Sequence, residues 1–130
     1  MKISQIVTKI QHIGIPTNDI EKTVTFYESL GFENLYTTVN KEANEKVSFL
    51  QLANMLLELY QNGHAMNKTG AIDHIALDVT DINAAFEIAQ ANGYHLLDDS
   101  IQFLPFWKNG VKFFTILGPN GEKVEFNQRL

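Results

Sequence analysis

The sequence predicts an α+β fold built from two βαβββ modules, because the chain contains an internal repeat. One shift along the chain places His12-Ile13-Gly14-Ile15 on His74-Ile75-Ala76-Leu77, and the same shift places Gly31 on Gly93. A slightly larger shift places Leu57-Glu58-Leu59 on Val124-Glu125-Phe126. In each repeat an alternating apolar pattern precedes a helical pattern and three further short alternating stretches.

The first module opens with an alternating strand from Ile10 to Ile15, and Pro16 is expected to end it. Asn18 and Glu21 resemble a capping box and predict the start of a helix. The helix is predicted from apolar residues at helical spacing and from a closing glycine, namely Ile20, Val24, Tyr27, Leu30 and Gly31. Strands at about residues 32–39, 47–52 and 55–60 complete the module.

The second module repeats this order from a strand at His74–Val79. Thr80 or Asp81 is expected to cap its helix, whose apolar stripe and closing glycine are Ile82, Ala85, Phe86, Ala89 and Gly93. Strands are predicted at about residues 94–97, 111–117 and 123–127, with a few extra residues near 102–110. We therefore predict one domain spanning residues 1–130, made of two repeats at about 6–61 and 70–128.

Composition excludes several classes of function. The net charge of -5 and the presence of a single arginine, Arg129, argue against a nucleic-acid-binding surface. The absence of cysteine removes disulfides, thiolate metal sites and cysteine nucleophiles. No apolar run resembles a signal peptide or a membrane span, so a cytoplasmic protein without a membrane partner is expected. No glycine-rich phosphate loop is present, and no organic cofactor is predicted.

Because side chains alternate along a strand, two histidines and two glutamates are expected on the sheet faces that point away from the helices. Ile13 and Ile15 should meet the helix of their module, which leaves His12 on the other face beside the small Gly14. The same alternation turns three further side chains away from the helices, namely Glu58, His74 and Glu125. Each repeat thus contributes one imidazole and one carboxylate.

Two imidazoles and two carboxylates form a charge-balanced donor set for one divalent ion, either zinc, nickel, cobalt, manganese or iron(II). Four protein ligands would leave positions open for water or substrate, as catalysis requires. A single strand histidine or glutamate is more often solvated or hydrogen-bonded than metal-bound. The recurrence of both residue types at equivalent repeat positions favours the metal site: His12, Glu58, His74 and Glu125.

Aromatic residues are the candidates for a substrate pocket. Phe103, Phe106 and Trp107 fall in the segment added to the second repeat, where they either cover one end of the sheet as core or form a pocket wall over the metal. Tyr60 shares the predicted face of Glu58. The sequence assigns no metal role to the residues without repeat partners, His64 and His95, and it predicts a solvated turn at Asp98-Asp99.

These residues resemble the vicinal oxygen chelate superfamily, which includes glyoxalase I, methylmalonyl-CoA epimerase, extradiol dioxygenases and the fosfomycin and bleomycin resistance proteins. The resemblance covers nearly the whole chain and implies a curved, half-open mixed sheet. It rests on four segments, QHIGIPTNDIEKTVTFYESLGF, MLLELYQ, DHIALDVTDINAAFEIAQANGY and FFTILGPNGEKVEFNQ.

Within this superfamily the ligand set discriminates between members. The bacterial glyoxalase I pattern of His, Glu, His, Glu is similar to His12, Glu58, His74 and Glu125. The epimerases carry glutamine where Glu58 stands here, and the dioxygenases and fosfomycin transferases use two histidines and one glutamate. The bleomycin-binding proteins lack the ligands altogether.

The resemblance implies a lyase or isomerase in which two substrate oxygens chelate the metal and an enediolate forms. Glu125 or Glu58 would carry the proton as general base and acid. Glyoxalase I binds the carboxylates of glutathione with arginines. This chain has only Arg129, and three lysines could substitute as cations without the bidentate geometry of a guanidinium, namely Lys108, Lys112 and Lys123.

We therefore expect another thiol adduct, or a substrate that resembles a sugar or a keto acid. The alternatives are an epimerase of the methylmalonyl-CoA type and a ligand-binding or drug-resistance protein without catalysis. A homodimer is expected, with the metal site formed within one chain or across two.

Overall fold

The computed structural model describes all 130 residues and confirms the α+β class. Its chain forms two compact units, Met1–Ala65 and Met66–Leu130. Both units have the predicted order of a strand, a helix and further strands. Both α-helices have 10 residues, which is too short for a membrane span.

The first unit is a four-stranded sheet with one helix. Its elements are β1 (Ile13–Thr17), α1 (Ile20–Ser29), β2 (Glu33–Asn40), β3 (Glu45–Leu52) and β4 (Met55–Gln61), preceded by a short 3-10 turn at Ile3–Gln5. The strand order is β1-β4-β3-β2. β1 runs parallel to β4, while β3 is antiparallel to both of its neighbours.

The second unit repeats this arrangement with one additional strand. Its elements are β5 (His74–Asp78), α2 (Ile82–Ala91), β6 (His95–Leu96), β7 (Gln102–Leu104), β8 (Val111–Leu117) and β9 (Lys123–Arg129). The order is β5-β9-β8-β6, and β7 also pairs with β8. β6 and β7 together therefore occupy the position that β2 holds in the first unit.

Asp98 anchors the segment between β6 and β7 to the neighbouring strand β8. Its Oδ2 accepts a hydrogen bond of 2.8 Å from the backbone N–H of Thr115, and Leu97 donates its N–H to the carbonyl of Thr115. The carboxylate thus satisfies a strand N–H that has no ladder partner at the interruption. The prediction of a merely solvated turn at Asp98 was therefore wrong.

Two predictions for the first strand were also wrong. β1 begins at Ile13, so His12 lies one residue before it, and Pro16 lies inside the strand rather than after it. Proline is tolerated there because β1 is an edge strand whose only neighbour is β4.

Both helices start at an aspartate and end before a left-handed glycine. Asp19, and not Asn18, caps α1 by accepting a hydrogen bond from the N–H of Lys22, and Asp81 caps α2 in the same way. Gly31 and Gly93 have φ values of 104° and 71°. These glycines adopt the positive φ that other residues rarely reach, as predicted.

The core of each unit lies between its helix and one face of its sheet. Side chains on this face are almost fully buried: Leu50, Leu57 and Leu59 in the first unit, and Phe114, Ile116 and Val124 in the second. Because strand side chains alternate, the residues between them point to the opposite face. Glu58 and Glu125 lie on that opposite face, as the sequence predicts.

Candidate metal centre

In the first unit His12 and Glu58 face each other. Gly14 pairs with Glu58 in the parallel ladder between β1 and β4, and His12 lies two residues earlier on the same face. The Nε2 atom of His12 is 3.8 Å from Oε1 of Glu58. The strand pairing therefore brings together the two predicted ligands of the first repeat.

The second unit contains the same arrangement of His74 and Glu125. Ala76 takes the place of Gly14 and pairs with Glu125 in the parallel ladder between β5 and β9. The Nε2 atom of His74 is 3.7 Å from Oε1 of Glu125. The duplicated sequence thus gives the same register and nearly the same donor separation.

The second ring nitrogen of each histidine is held by the residue that precedes it. Nδ1 of His12 lies 2.9 Å from Oε1 of Gln11, and Nδ1 of His74 lies 2.9 Å from Oδ2 of Asp73. An amide or carboxylate oxygen accepts hydrogen bonds, so Nδ1 carries the hydrogen and Nε2 of a neutral ring is left with a lone pair. In each pair the Nε2 lone pair of the histidine therefore faces the Oε1 atom of the glutamate. Both atoms are acceptors, and a cation between them would bind both.

The donor separations fit a shared cation. Distances of 3.7 and 3.8 Å are longer than a hydrogen bond. Two ligands that each lie about 2.1 Å from a metal ion can be at most about 4.2 Å apart, so one ion could contact both members of a pair. Imidazole nitrogen and carboxylate oxygen suit zinc, manganese and the neighbouring transition metals.

No group of three or more histidine and acidic side chains in the structure could hold a metal ion. Each unit by itself provides two donors. A site with four ligands requires the two pairs to converge, either within one chain or between two chains, and this stays a prediction.

The surroundings of the two glutamates differ. The Glu125 side chain is 15% exposed, and its Oε2 accepts a hydrogen bond of 3.0 Å from Nδ2 of Asn127. The Glu58 side chain is 31% exposed, and its carboxylate accepts no hydrogen bond. Tyr60 takes the place of Asn127, and its ring packs beside Gly14, where a Cβ atom would lie 3.3 Å from Cε1 of Tyr60. Glu58 is therefore the less restrained carboxylate.

Asp73 lies between Lys123 and His74 and is hydrogen-bonded to both. Hydrogen bonds from His74 and then from Lys123 keep the pKa of the Asp73 carboxyl below its ordinary value. Nζ of Lys123 lies 3.2 Å from Oδ1 of Asp73. The carboxylate is thus held ionised, in the form that accepts a hydrogen bond from the imidazole.

The predicted pocket aromatics of the second unit are exposed. Trp107 is 70% exposed, and Phe103 and Phe106 are each 56% exposed, so these rings do not serve as core. The Cζ atom of Arg129 lies 4.0 Å from the centre of the Trp107 ring. The role of these residues and of Tyr60 as pocket walls stays a prediction.

The remaining histidines lie outside both pairs. His64 is in the segment after β4 and His95 begins β6, and neither forms an ion pair. Sequence reasoning did not identify Gln11 and Asp73 as partners of the ligand histidines. The available signal was that each of the two histidines follows a residue with an acceptor side chain.

Comparison with known proteins assigns the chain to a family. Residues 11–113 match the profile of the glyoxalase/bleomycin resistance protein/dioxygenase superfamily. This match covers well over half of the chain, and the protein belongs to that superfamily, whose members include enzymes.

Two relatives align with almost the entire chain. An uncharacterized protein of Bacillus subtilis (strain 168), YwbC, is 33% identical over 93% of this chain and 98% of its own length. The mitochondrial methylmalonyl-CoA epimerase of Dictyostelium discoideum is 25% identical over 95% of this chain and 80% of its own length.

Solved structures share the fold. A glyoxalase family protein from Enterococcus faecalis has a TM-score of 0.76 at 23% identity and covers 94% of this chain and 98% of its own. The fosfomycin resistance protein FosX from Listeria monocytogenes, complexed with Mn(II) and sulfate, has a TM-score of 0.74 at 16% identity and covers 95% and 94%. A divalent metal is thus present in at least one protein of this fold.

Proposed function

We propose that this protein is a metal-dependent lyase or isomerase that moves a proton on a small substrate with vicinal oxygens. One observation carries the proposal: in each repeat an imidazole Nε2 and a carboxylate Oε1 face each other at 3.7–3.8 Å. The four residues that would hold one divalent ion are His12, Glu58, His74 and Glu125. A bound ion of this kind supplies Lewis acidity at a carbonyl oxygen, which acidifies the neighbouring C–H bond.

The chain's own carboxylates would then transfer the proton. A carboxylate beside the acidified carbon takes the proton as general base and returns it to the adjacent carbon as general acid. Asn127 fixes one oxygen of Glu125, whereas Glu58 accepts no hydrogen bond. Glu58 is therefore the carboxylate that can move with least loss of hydrogen bonding, and we assign the proton shuttle to it first and to Glu125 second.

The histidines have a different role. Their Nδ1–H groups are directed to Gln11 and Asp73, which fixes each ring with Nε2 toward its glutamate. Such outer partners orient ligand rings and raise their basicity. The imidazoles would thus remain in place while a carboxylate moves. We further propose a homodimer, whose mass in solution can be measured by light scattering after size-exclusion chromatography.

The direct test measures turnover of methylglyoxal with a panel of low-molecular-weight thiols, after loading with nickel, zinc or manganese. We expect turnover with at least one thiol and one metal, and a loss of about 100-fold or more in kcat for the Glu58→Gln variant. Absence of turnover with every combination would contradict the lyase.

An epimerase is a second candidate because the Dictyostelium discoideum epimerase is 25% identical over 95% of this chain. The test is deuterium incorporation from solvent into a 2-methylmalonyl thioester. Since the epimerases carry glutamine at the position of Glu58, Glu58→Gln should preserve an epimerase but inactivate the lyase. A third candidate, a ligand-binding protein without catalysis, would bind an aromatic compound without added metal and change the fluorescence of Trp107.

A further inference from the structure

Arg129 is fixed on the same sheet face as Glu125. The ladder between β8 and β9 is regular from Val111–Arg129 to Leu117–Lys123, so the odd-numbered residues of β9 share one side. The hydrogen bond from Asn127 to Glu125 agrees with this alternation. At about 3.3 Å per residue, the backbone positions of Glu125 and Arg129 lie about 13 Å apart along the strand.

Arg129 is also an uncompensated cation. It is the only arginine of the chain, and its guanidinium forms no ion pair. The other cation on this face of β9, Lys123, is bound to Asp73 at 3.2 Å. A guanidinium that is free of carboxylates offers a planar fork for a carboxylate or a phosphate.

The loop before β8 holds Trp107 against this guanidinium. Trp107 has a φ of 60°, a conformation that bulky residues rarely adopt. The loop is fixed by Gly110, whose φ is 90° and whose missing side chain leaves the space that the Phe103 ring fills. Residues held in sparsely populated backbone conformations cluster at active sites and ligand-binding sites, and the indole ring attracts the guanidinium that it covers.

We propose that Arg129 and Trp107 form a binding site for the anionic end of the substrate, a carboxylate or a phosphate remote from the reacting carbon. Which end of the substrate reacts is taken from the proposed function, and in this respect the proposal rests on it. In this site the guanidinium of Arg129 pairs with the anion. The indole of Trp107 limits the motion of the guanidinium and contacts the adjoining part of the ligand. The preferred substrate is therefore an extended anion.

The test uses the intrinsic fluorescence of Trp107, the only tryptophan of the chain. The chelator-treated, metal-free protein is titrated at constant ionic strength with succinate in one arm and inorganic phosphate in the other, up to tens of millimolar. We expect saturable quenching by at least one anion, with a Kd in about the millimolar range. Quenching by succinate alone would indicate that the site prefers a carboxylate, and quenching by phosphate alone would indicate that it prefers a phosphate.

Two variants and one control assign the binding to Arg129. Arg129→Gln should weaken it by about 10- to 100-fold, and Arg129→Lys should weaken it less, because the charge remains while the fork is lost. Lys68→Gln, the neutralisation of an exposed lysine elsewhere in the second unit, should bind as the wild type does. Absence of saturation with both anions, or equal binding by Arg129→Gln, would overturn the proposal. Because metal and turnover play no part in this titration, its failure is distinct from failure of the proposed function.

Discussion

The Nδ1 atom of His74 lies 2.9 Å from Oδ2 of Asp73, and Asp73 is itself bound by Lys123. The first repeat has Gln11 at the equivalent position, so one histidine has an anionic partner and the other a neutral one. An anionic partner increases the electron density of the imidazole and hence its strength as a ligand. The two halves of the proposed metal site are therefore unequal.

This inequality predicts the effect of removing Asp73. The Asp73→Ala variant should bind zinc about 10- to 100-fold more weakly than the wild type, because His74 loses the group that orients it. Competition with a chromophoric chelator measures the affinity. The Asp99→Ala variant makes the same change of charge at an exposed acid of the second unit and should leave the affinity unchanged. Equal affinities for both variants would show that Asp73 does not support a ligand.

A second prediction concerns the crowded position beside Glu58. A Cβ atom on Gly14 would lie 3.3 Å from Cε1 of Tyr60 and 3.8 Å from Oε1 of Glu58. Only the approach to Tyr60 is tighter than an ordinary contact, so Gly14→Ala should displace the Tyr60 ring and thereby weaken metal binding, with the fold intact. In the second repeat Ala76 is tolerated because Asn127 replaces the tyrosine.

The double variant Gly14→Ala/Tyr60→Asn copies the arrangement of the second repeat. We expect it to recover part of the affinity, so that the free energies of metal binding are non-additive by about 1 kcal/mol or more. A thermodynamic cycle from calorimetry measures this coupling. Additive effects would mean that Tyr60 and Gly14 influence the site independently.

A third prediction concerns stability of the second unit. Gly121 has a φ of 79°, and a Cβ atom there would collide with the backbone of Asn67 and Lys68. Gly121→Ala should lower the free energy of unfolding by at least about 2 kcal/mol, measured by urea denaturation. Gly70→Ala is the control, because no atom lies within 4 Å of its added methyl group and it should change the stability by less than about 0.5 kcal/mol. A small effect at Gly121 would mean that the segment after Ala65 does not pack on this turn.

Periodicity and repetition were sufficient to predict the α+β class, both helices and the sheet faces of the candidate ligands. These features depend on burial, which acts on every second or every third to fourth residue and is therefore visible in sequence. The turn at Gly31 was also predictable, because a backbone position with positive φ is usually occupied by glycine.

Features that depend on single polar contacts were not predictable. The capping role of Asp19 rather than Asn18 is decided by which oxygen reaches the N–H of Lys22, and both residues are good caps. The strand β7 was missed because it has only 3 residues, too few for an alternating pattern, and is defined by its pairing with β8. The contact between Arg129 and Trp107 depends on the conformation of the loop before β8, which no sequence pattern reveals.

The central claim is that the two imidazole–carboxylate pairs hold one divalent ion, and its most direct test is the metal content of the protein. Inductively coupled plasma mass spectrometry should find one zinc, nickel, cobalt, manganese or iron per chain, either as purified or after metal loading and desalting. His12→Ala and His74→Ala should each lose this metal, while His64→Ala and His95→Ala should retain it. A wild-type chain that retains no metal after loading, or histidine variants that all retain it equally, would contradict the account.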